Sequence, residues 1–452
     1  MNNTADDWRS TLKREWRPLG ALALIAALIL FSYALARGPS ESLFLKHYPE
    51  QALPGLWVEI GLAAALVVSL YNRALQRLSL PQIFQSAYAL TALSLIGLTL
   101  WGELGSGADG ATLELFGLSF PYGRATLLRI WSDLYIVVLV ETYWSLANLY
   151  FPLKAARYLY GGLCAAGTLG SMAGNLFVRS YATTWSTESL ILLVFPSLAL
   201  MSALTVPLGR AFMRRREALE RSAEELEREP KDTEGAPATR AEGGAKRSDL
   251  ISGLKVIARS DYLIWVLWLV LISQIAVTLI DYQYKAYLRE LYPNTDARTA
   301  FQGLLYLSID VGSLLMQLMT GLILSALGVG VTLSLIPLIL LTLSLSPAVL
   351  PVMLAIASAK SASKFLTYSI FKSAKELLYF PLSYEEQTQG KAVIDILIYR
   401  QAKILASVLL LTLGALGWGL EEVKWLTALS LCLWLIGALM LLRATRRAQV
   451  DR

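Results

Sequence analysis

The sequence predicts an all-α membrane protein whose twelve transmembrane helices form two pseudo-symmetric six-helix bundles. Of its 452 residues, 55% are hydrophobic and 16% are charged, and the mean hydropathy is +0.51. A soluble chain of this length would expose too much apolar surface. Several stretches of about 18 or more residues carry few charges, and this length crosses about 30 Å of hydrocarbon. A charged segment near the middle of the chain separates two groups of such stretches.

The first half, residues 1–209, holds six predicted spans. A basic N-terminus precedes the first span, which we expect to end at Arg37, Gly38 and Pro39, because glycine and proline interrupt helices. The fourth span is the polar one, and the fifth is rich in small residues that permit close helix approach. Basic turns follow the second and fourth spans, and these indicate a cytoplasmic N-terminus. The spans cover about residues 19–36, 53–71, 83–101, 125–149, 159–178 and 190–208.

Residues 210–250 are strongly charged and end in a stretch rich in glycine, proline and alanine. We therefore predict a cytoplasmic linker that is partly disordered. The second half, residues 251–452, repeats the six-span scheme and ends in a basic tail, which is also expected to be cytoplasmic. Its spans cover about residues 262–284, 303–327, 331–345, 350–379, 393–416 and 425–442.

A short internal repeat supports the division into two halves. The pentapeptide LYFPL ends the fourth span at 149–153 and the tenth span at 378–382. Arg37 and Lys285 each follow a tyrosine at the end of the first span of their half. These matched positions indicate a duplication. Two parallel six-span halves related by an axis along the membrane normal are the plan of the major facilitator superfamily.

Lysines within the predicted tenth span point to an anion site. A charge in hydrocarbon costs about 3 kcal/mol or more, so such a residue usually faces a wet cavity or a partner. At about 100° per residue, Lys360, Lys364 and Lys375 lie within about 60° of one another on a helix, and Lys372 lies about 60° further round. This cationic stripe predicts an anion-binding site inside the protein.

Other charged residues in the spans extend the candidate site. Arg129 and Asp133 are i,i+4 neighbours, which form either a structural ion pair or part of the site. Glu141 has no cation within four residues and could pair with a cation of the site. The predicted substrate-binding residues are Arg37, Arg129, Glu141, Lys285, Lys360, Lys364, Lys375 and Arg400. The candidates for proton or ion coupling are Asp133, Asp310 and Asp395. Asp395 could instead pair with Arg400 or Lys403.

The charge balance favours an anionic substrate over a cationic drug. Nine cations and six acids lie in the spans or at their immediate ends, an excess of three positive charges. The net charge of the chain is +6, but its basic residues concentrate in tails and loops. This pattern reports membrane topology, and we expect no binding of nucleic acid.

The sequence shows no pattern typical of an enzyme or a metal centre. Its one histidine, His47, lies in a predicted loop, and Cys164 and Cys432 lie in apolar spans, so we expect no metal and no disulfide. No GxxxxGK[ST] loop occurs, so hydrolysis of a nucleotide is not expected. We predict no catalytic residues and no cofactor.

Two motifs carry a resemblance to a known family. An RIWS…E pattern covers Arg129–Ser132 and Glu141. A second pattern comprises Lys375, Glu376, Tyr379, Pro381, Leu382, Gly390, Lys391, Ala392, Ile394 and Asp395. Together they resemble the ATP/ADP translocase family of obligate intracellular bacteria and plastids, here as a distant branch with a shorter segment between Glu141 and Arg157. The resemblance implies a fold related to the major facilitators and exchange of ATP for ADP.

The resulting hypothesis is a monomeric nucleotide exchanger that works by alternating access in a bacterial inner membrane. Its expected partners are membrane lipid and a small anionic substrate, ATP, ADP or another nucleotide. One alternative is a proton-coupled facilitator of another small organic anion. A second alternative is a membrane scaffold or sensor that acts through the 210–250 linker without transporting anything.

Overall fold

The computed structural model describes residues 16–103, 109–115, 118–151, 153–210, 250–380, 382–383, 386, 391, 393–394 and 399–450. Within these residues the chain is almost entirely helical, with one two-stranded sheet. Most of the predicted linker lies outside them, and so do Asp395 and the proline of each LYFPL repeat. The boundaries of the two predicted halves and of the linker therefore stay predictions.

The described part of the N-terminal half contains six long helices and a β-hairpin. The helices are α1 (Trp16–His47), α2 (Leu53–Leu75), α3 (Leu80–Glu103), α4 (Arg124–Tyr150), α5 (Leu153–Trp185) and α6 (Thr187–Arg210). Strands β1 (Ala111–Leu115) and β2 (Leu118–Tyr122) pair antiparallel between α3 and α4. We call the end of the bundle that carries these strands the hairpin end.

The C-terminal half contains no strand among its described residues, which form helices joined by short turns. Its helices are α7 (Leu250–Arg259), α8 (Asp261–Leu291), α9 (Thr295–Leu327), α10 (Val329–Leu345), α11 (Val352–Leu366), α12 (Lys372–Leu378), α13 (Tyr399–Ala415) and α14 (Leu420–Val450). A π-helical turn, Thr367–Phe371, joins α11 to α12. Ser260 and Asn294 begin α8 and α9, because each side chain accepts a hydrogen bond from the backbone N–H three residues on. We call the end where α6 ends and α7 begins the linker end.

The helices are those of an integral, multi-pass membrane protein. Seven of them are long and apolar enough to cross a membrane, namely α1, α2, α3, α6, α8, α9 and α14. Helices α4 and α5 have 27 and 33 residues but are more polar, and α10 and α13 have 17 residues each. Large apolar side chains such as Leu66, Leu90, Leu318 and Leu322 are exposed, as lipid-facing side chains are. The count of twelve spans stays a prediction.

Each half has an apolar core, and a further cluster of buried side chains joins the halves. One cluster lies almost entirely in the N-terminal half and one in the C-terminal half. The third brings Phe44 of α1 and Tyr48 against Tyr284, Leu288 and Leu305 from α8 and α9. We call these five residues the hairpin-end seal. All five are at most 4% exposed, so the two halves are closed against each other at this end.

One local prediction was wrong. Helix α1 does not end at Arg37, Gly38 and Pro39, because it continues to His47. Proline removes one helical hydrogen bond, but packing against neighbouring helices keeps the backbone helical in a membrane protein. Here Gly38 faces α9, and a Cβ atom on it would lie 3.5 Å from Oε1 of Gln302. The segment between the predicted third and fourth spans contains the hairpin of β1 and β2.

Helices α5 and α9 approach each other closely where the two halves meet. A Cβ atom on Gly303 would lie 2.7 Å from the backbone nitrogen of Arg179, so only glycine permits this crossing. Nearer the hairpin end, Arg298 of α9 donates a hydrogen bond of 3.1 Å to the carbonyl of Ser42 in α1. These backbone contacts add to the closure of the hairpin end.

Candidate functional site

A cluster of charged side chains lies between the two halves, about one helical turn from the hairpin-end seal in α1 and in α8. Its cations are Arg37, Arg129, Lys285, Lys360, Lys364 and Lys403, and its carboxylates are Glu41, Asp133 and Asp281. Helices α1, α4, α8, α11 and α13 each contribute at least one of them. We call these nine residues the charge cluster.

Glu41 connects the two halves within the cluster. It is 1% exposed. Its Oε2 atom lies 3.5 Å from Nζ of Lys285 and 3.9 Å from Nη2 of Arg129, and it accepts a hydrogen bond of 3.3 Å from the hydroxyl of Tyr306. Lys285 and Tyr306 belong to the C-terminal half, whereas Glu41 and Arg129 belong to the N-terminal half. The continuation of α1 past Pro39 is what places this carboxylate at the interface.

Asp281 holds two lysines of the C-terminal half. Its Oδ2 atom lies 3.4 Å from Nζ of Lys285, one turn further along α8. Its Oδ1 atom accepts a hydrogen bond from Nζ of Lys360 in α11, which is 1% exposed. A buried charge is tolerated when it is paired and hydrogen-bonded, so Asp281 accounts for the burial of Lys360.

Arg129 and Asp133 form an ion pair along α4. Nη1 of Arg129 lies 2.7 Å from Oδ1 of Asp133, and it also donates to the hydroxyl of Ser132 at 2.8 Å. The hydroxyl of Tyr33 in α1 donates to Asp133 at 3.3 Å. The hydroxyl of Ser40 in turn donates to that of Ser132 at 3.0 Å. These bonds attach the charged face of α4 to α1.

Three cations of the cluster, Arg37, Lys364 and Lys403, have no carboxylate within ion-pair distance among the described residues. The guanidinium of Arg37 lies 4.0 Å from the ring centre of Tyr306. Its buried Nε atom has no hydrogen-bond partner among the residues that the structure describes. Arg37 and Lys364 are partly exposed, and Lys403 is exposed. Their charges are therefore open to a ligand.

Trp57 brings cations of the C-terminal half against a ring of the N-terminal half. The ammonium of Lys285 lies 4.9 Å from its ring centre, and that of Lys403 lies 5.3 Å from it. Trp57 is 2% exposed. Cation–π contacts of this kind contribute about 0.5–2 kcal/mol, more when water is excluded. The tryptophan therefore partly offsets the repulsion between the two ammonium groups.

The cluster as a whole is positively charged. Its six cations exceed its three carboxylates by three charges. The excess of three positive charges predicted for all the spans is therefore also found within the charge cluster alone. Phosphate and carboxylate groups are the ligands that such a set of lysines and arginines binds through charge-assisted hydrogen bonds.

Six of the predicted site residues come together in the charge cluster: Arg37, Arg129, Asp133, Lys285, Lys360 and Lys364. The lysine stripe is divided, because the π-helical turn Thr367–Phe371 changes the phase of the helix after Lys364. Lys375 lies beyond this turn in α12 and is buried, and Lys372 is exposed.

The remaining predicted site residues lie elsewhere. Glu141 is exposed, two turns beyond Asp133 along α4 towards the linker end. Asp310 accepts hydrogen bonds from Ser171 at 2.7 Å and from Asn175 at 2.8 Å, where α5 crosses α9. Arg400 is in α13, but its side chain is not among those described, and Asp395 lies outside the described residues.

Sequence reasoning missed the central position of Glu41, Asp281, Trp57 and Lys403. The nine cations and six acids of the charge balance include Lys403 and Asp281, but the prediction assigns neither to the substrate site. Glu41 follows the expected end of the first span at Pro39, and it lies four residues after Arg37, the spacing of one helical face. That spacing would have indicated Glu41 if α1 had been expected to pass through Pro39.

No group of three or more histidine, cysteine, aspartate or glutamate side chains that could hold a metal ion occurs within the described ranges. The charge cluster provides hydrogen-bond donors for an anion, and its carboxylates are already paired with its cations.

The chain matches the model of the TLC ATP/ADP transporter family over residues 125–346 and 338–444. It is 24% identical over 357 residues to ADP,ATP carrier protein 1 of Chlamydia pneumoniae, and the matched region covers 70% of this chain and 68% of that protein. It is 22% identical over 443 residues to ADP,ATP carrier protein 3 of Rickettsia typhi, and the matched region covers 87% of this chain and 86% of that protein. It is 23% identical over 450 residues to the plastidic ATP/ADP-transporter of Solanum tuberosum, and the matched region covers 88% of this chain and 68% of that protein.

Solved transporter structures share the fold. The nucleoside transporter NupG superposes with a TM-score of 0.60 at 11% identity, covering 94% of this chain and 99% of that one. A D-xylose–proton symporter superposes with a TM-score of 0.57 at 14% identity, and the superposition covers 94% of this chain and 97% of the symporter chain. At this level of identity the likeness shows the fold alone, and it confirms the predicted fold of the major facilitator type.

Proposed function

This chain belongs to the TLC ATP/ADP transporter family, and from this premise we propose that it exchanges nucleotides such as ATP and ADP across a membrane. The substrate crosses by alternating access between the two halves and leaves chemically unchanged. The observation that carries the proposal is the set of three accessible cations, Arg37, Lys364 and Lys403, gathered between the halves without carboxylate partners among the described residues.

The charge of the cluster suits a nucleotide. A nucleoside diphosphate carries about three negative charges and a triphosphate about four. Moving these charges out of water requires fixed cations and hydrogen-bond donors in place of the hydration shell. The excess of three positive charges in the cluster supplies this compensation. An empty cluster keeps its mutual repulsion, which favours exchange of one nucleotide for another over return of the empty carrier.

The substrate reaches the cluster from the linker end. The hairpin-end seal closes the opposite end. Tyr368, whose ring centre lies 5.5 Å from the ammonium of Lys364, is 48% exposed, and Lys403 is exposed. Opening of the hairpin end with closure of the linker end would complete the transport step.

The proposed setting follows from the charge distribution. We propose a bacterial inner membrane with both termini and the 210–250 linker in the cytoplasm, in agreement with the basic tails. The linker end is then the cytoplasmic side. A monomer suffices for this mechanism, because the charge cluster is formed within one chain.

Uptake of radiolabelled nucleotide into proteoliposomes tests the proposal. Vesicles preloaded with ADP should accumulate labelled ATP, and empty vesicles should accumulate much less. Lys364→Ala and Lys403→Ala should each raise the KM for ATP by about tenfold or more, because each removes a hydrogen bond to a charged group. Lys424→Ala is the matched control, since this lysine pairs with Glu421 on the surface. Absence of flux for every nucleotide tested would reject the proposal.

One observation favours a second candidate, proton-coupled transport of another small organic anion. Asp310 is half-buried between the halves, and its described hydrogen bonds come from the neutral Ser171 and Asn175. A carboxyl group in such a place can carry a proton. Flux that depends on a pH gradient in the wild type and loses this dependence in Asp310→Asn would favour coupling over exchange. The matched control is Asp296→Asn, since Asp296 also bonds across the halves, to Thr187.

A further inference from the structure

Glu41 is a carboxylate of the N-terminal half that lies among cations, at the point where the halves are closed. It contacts Lys285 and Tyr306 across the interface and Arg129 within its own half. Along α1 it stands three residues before Phe44 of the hairpin-end seal and two residues after Pro39. It therefore joins the charge cluster to the surface that must separate when the hairpin end opens.

The bonds of Glu41 are long for a buried carboxylate. Its contacts with Tyr306, Lys285 and Arg129 measure 3.3, 3.5 and 3.9 Å. Charge-assisted hydrogen bonds are typically about 2.7–2.9 Å. Its Oε1 atom has no hydrogen-bond partner within the described residues, and neither has Nε of Arg37, one turn earlier. The cations around Glu41 thus retain bonding capacity that a better-placed anion can use.

We propose that Glu41 is an internal counter-anion, which takes the place of substrate phosphate in the empty carrier and holds the hairpin end closed until phosphate displaces it. This inference rests on the proposed function, because it assigns Glu41 a positioning role in nucleotide exchange. The carboxylate binds no substrate. It acts through Lys285 and Arg129, whose charges it shares with the incoming phosphate.

Competition for the same cations explains how binding is coupled to opening. A phosphate group offers more oxygen acceptors than a carboxylate, and each forms a short bond to an ammonium or guanidinium group. When phosphate binds Lys285 and Arg129, the contact of Glu41 with the C-terminal half is lost. Helix α1 beyond Pro39 is then freed from α8 at a point where it already lacks one backbone hydrogen bond. The halves can separate there only after the substrate has bound.

Affinity measurements on Glu41→Gln test this competition. The variant lacks the competing charge, so its Kd for ATP should fall by about tenfold, a typical size for coupling between two sites. A general structural defect would weaken binding and would not strengthen it. Glu41→Asp keeps the charge and should stay within about threefold of the wild-type Kd. The matched control is Glu50→Gln, because Glu50 also joins the halves at the hairpin end, by a 3.1 Å ion pair with Arg289 outside the charge cluster.

Accessibility of the hairpin-end seal gives a second readout that needs no transport. A cysteine placed at Leu288, in a chain with Cys164→Ser and Cys432→Ser, reports opening to a membrane-impermeant maleimide added at the hairpin side. Without nucleotide it should stay unreactive in the otherwise wild-type chain and react in Glu41→Gln. Tyr306→Phe removes one hydrogen bond to Glu41 without changing any charge. It should give an intermediate rate and provides a test if Glu41→Gln does not fold.

The outcomes separate this inference from the proposed function. If the wild type binds ATP and Glu41→Gln binds it no more tightly, the inference is wrong and the proposed function stands. Labelling at Leu288 that still requires nucleotide in both Glu41→Gln and Tyr306→Phe would also overturn the inference alone. If the wild type binds no nucleotide, both fail.

Discussion

Replacing Asp281 by asparagine should strongly destabilise the protein, because Lys360 then loses its carboxylate partner and Lys285 keeps only Glu41. Asp281 lies 3.4 Å from Lys285 and also pairs with Lys360, which is 1% exposed. At an effective dielectric constant of about 20, two unit charges 3.4 Å apart attract by about 5 kcal/mol. Removing one partner of a buried pair costs about 3–5 kcal/mol, since the other charge is left uncompensated. We therefore expect Asp281→Asn to lower the free energy of unfolding by about 3–5 kcal/mol.

A double-mutant cycle isolates the pair from the rest of the cluster. The free energy of unfolding is measured in mixed detergent micelles for Asp281→Asn, Lys360→Met and the combined variant. Removing both partners should cost less than the sum of the single changes by at least about 2 kcal/mol, because neither charge is left alone. The control cycle uses Glu421 and Lys424, a pair whose side chains are 73% and 33% exposed. Exposed pairs couple by about 0.2–1 kcal/mol. Equal coupling energies in the two cycles would refute the reasoning.

Two further changes test the packing between the halves and the aromatic contact. Gly303→Val should lower the apparent Tm of the purified protein by several degrees, because its Cβ atom would lie 2.7 Å from the backbone of Arg179. Gly97→Val, where nothing lies within 4 Å, should leave the Tm unchanged, and an equal effect of both would contradict the packing argument. Trp57→Leu should raise the KM for ATP by about three- to tenfold, because two ammonium groups lose a cation–π contact that positions them. Trp57→Phe should retain part of the affinity, and initial rates of ATP uptake measure both.

Features that depend on local composition were predictable from the sequence. Apolar length and the lack of charge identified most of the helices, since crossing hydrocarbon imposes both. The matched positions of Arg37 and Lys285 came from a repeat within the chain, and the structure brings both residues into the charge cluster. Charges inside spans pointed to six residues of the charge cluster, because hydrocarbon tolerates few charges without a function or a partner, but they also pointed to Glu141 and Asp310, which lie elsewhere.

Features that depend on contacts between distant residues were not predictable in this way. Lys360 and Asp281 are 79 residues apart, and no spacing rule connects them. A helical projection assumed that all four lysines of the stripe follow one regular helix, which the π-helical turn after Lys364 prevents. Glu41 was missed because the rule that proline ends a helix is derived from helices in water. In a membrane a broken backbone would leave unpaired polar groups in hydrocarbon, so the helix continues.

The two halves contribute unequally to the charge cluster, and this asymmetry supports the proposed role of Glu41. The N-terminal half supplies Arg37 and Arg129 with Glu41 and Asp133, and its contribution is neutral. The C-terminal half supplies Lys285, Lys360, Lys364 and Lys403 with Asp281, and it carries the whole excess of three positive charges. Glu41 of the neutral half lies 3.5 Å from Nζ of Lys285 in the positive half, so on this proposal the two halves attract each other there in the empty carrier. A nucleoside diphosphate, with about three negative charges, cancels the excess and removes the attraction. On this proposal, the negative charge of the substrate offsets the positive charge that attracts the C-terminal half to Glu41, so binding weakens one of the contacts that close the hairpin end.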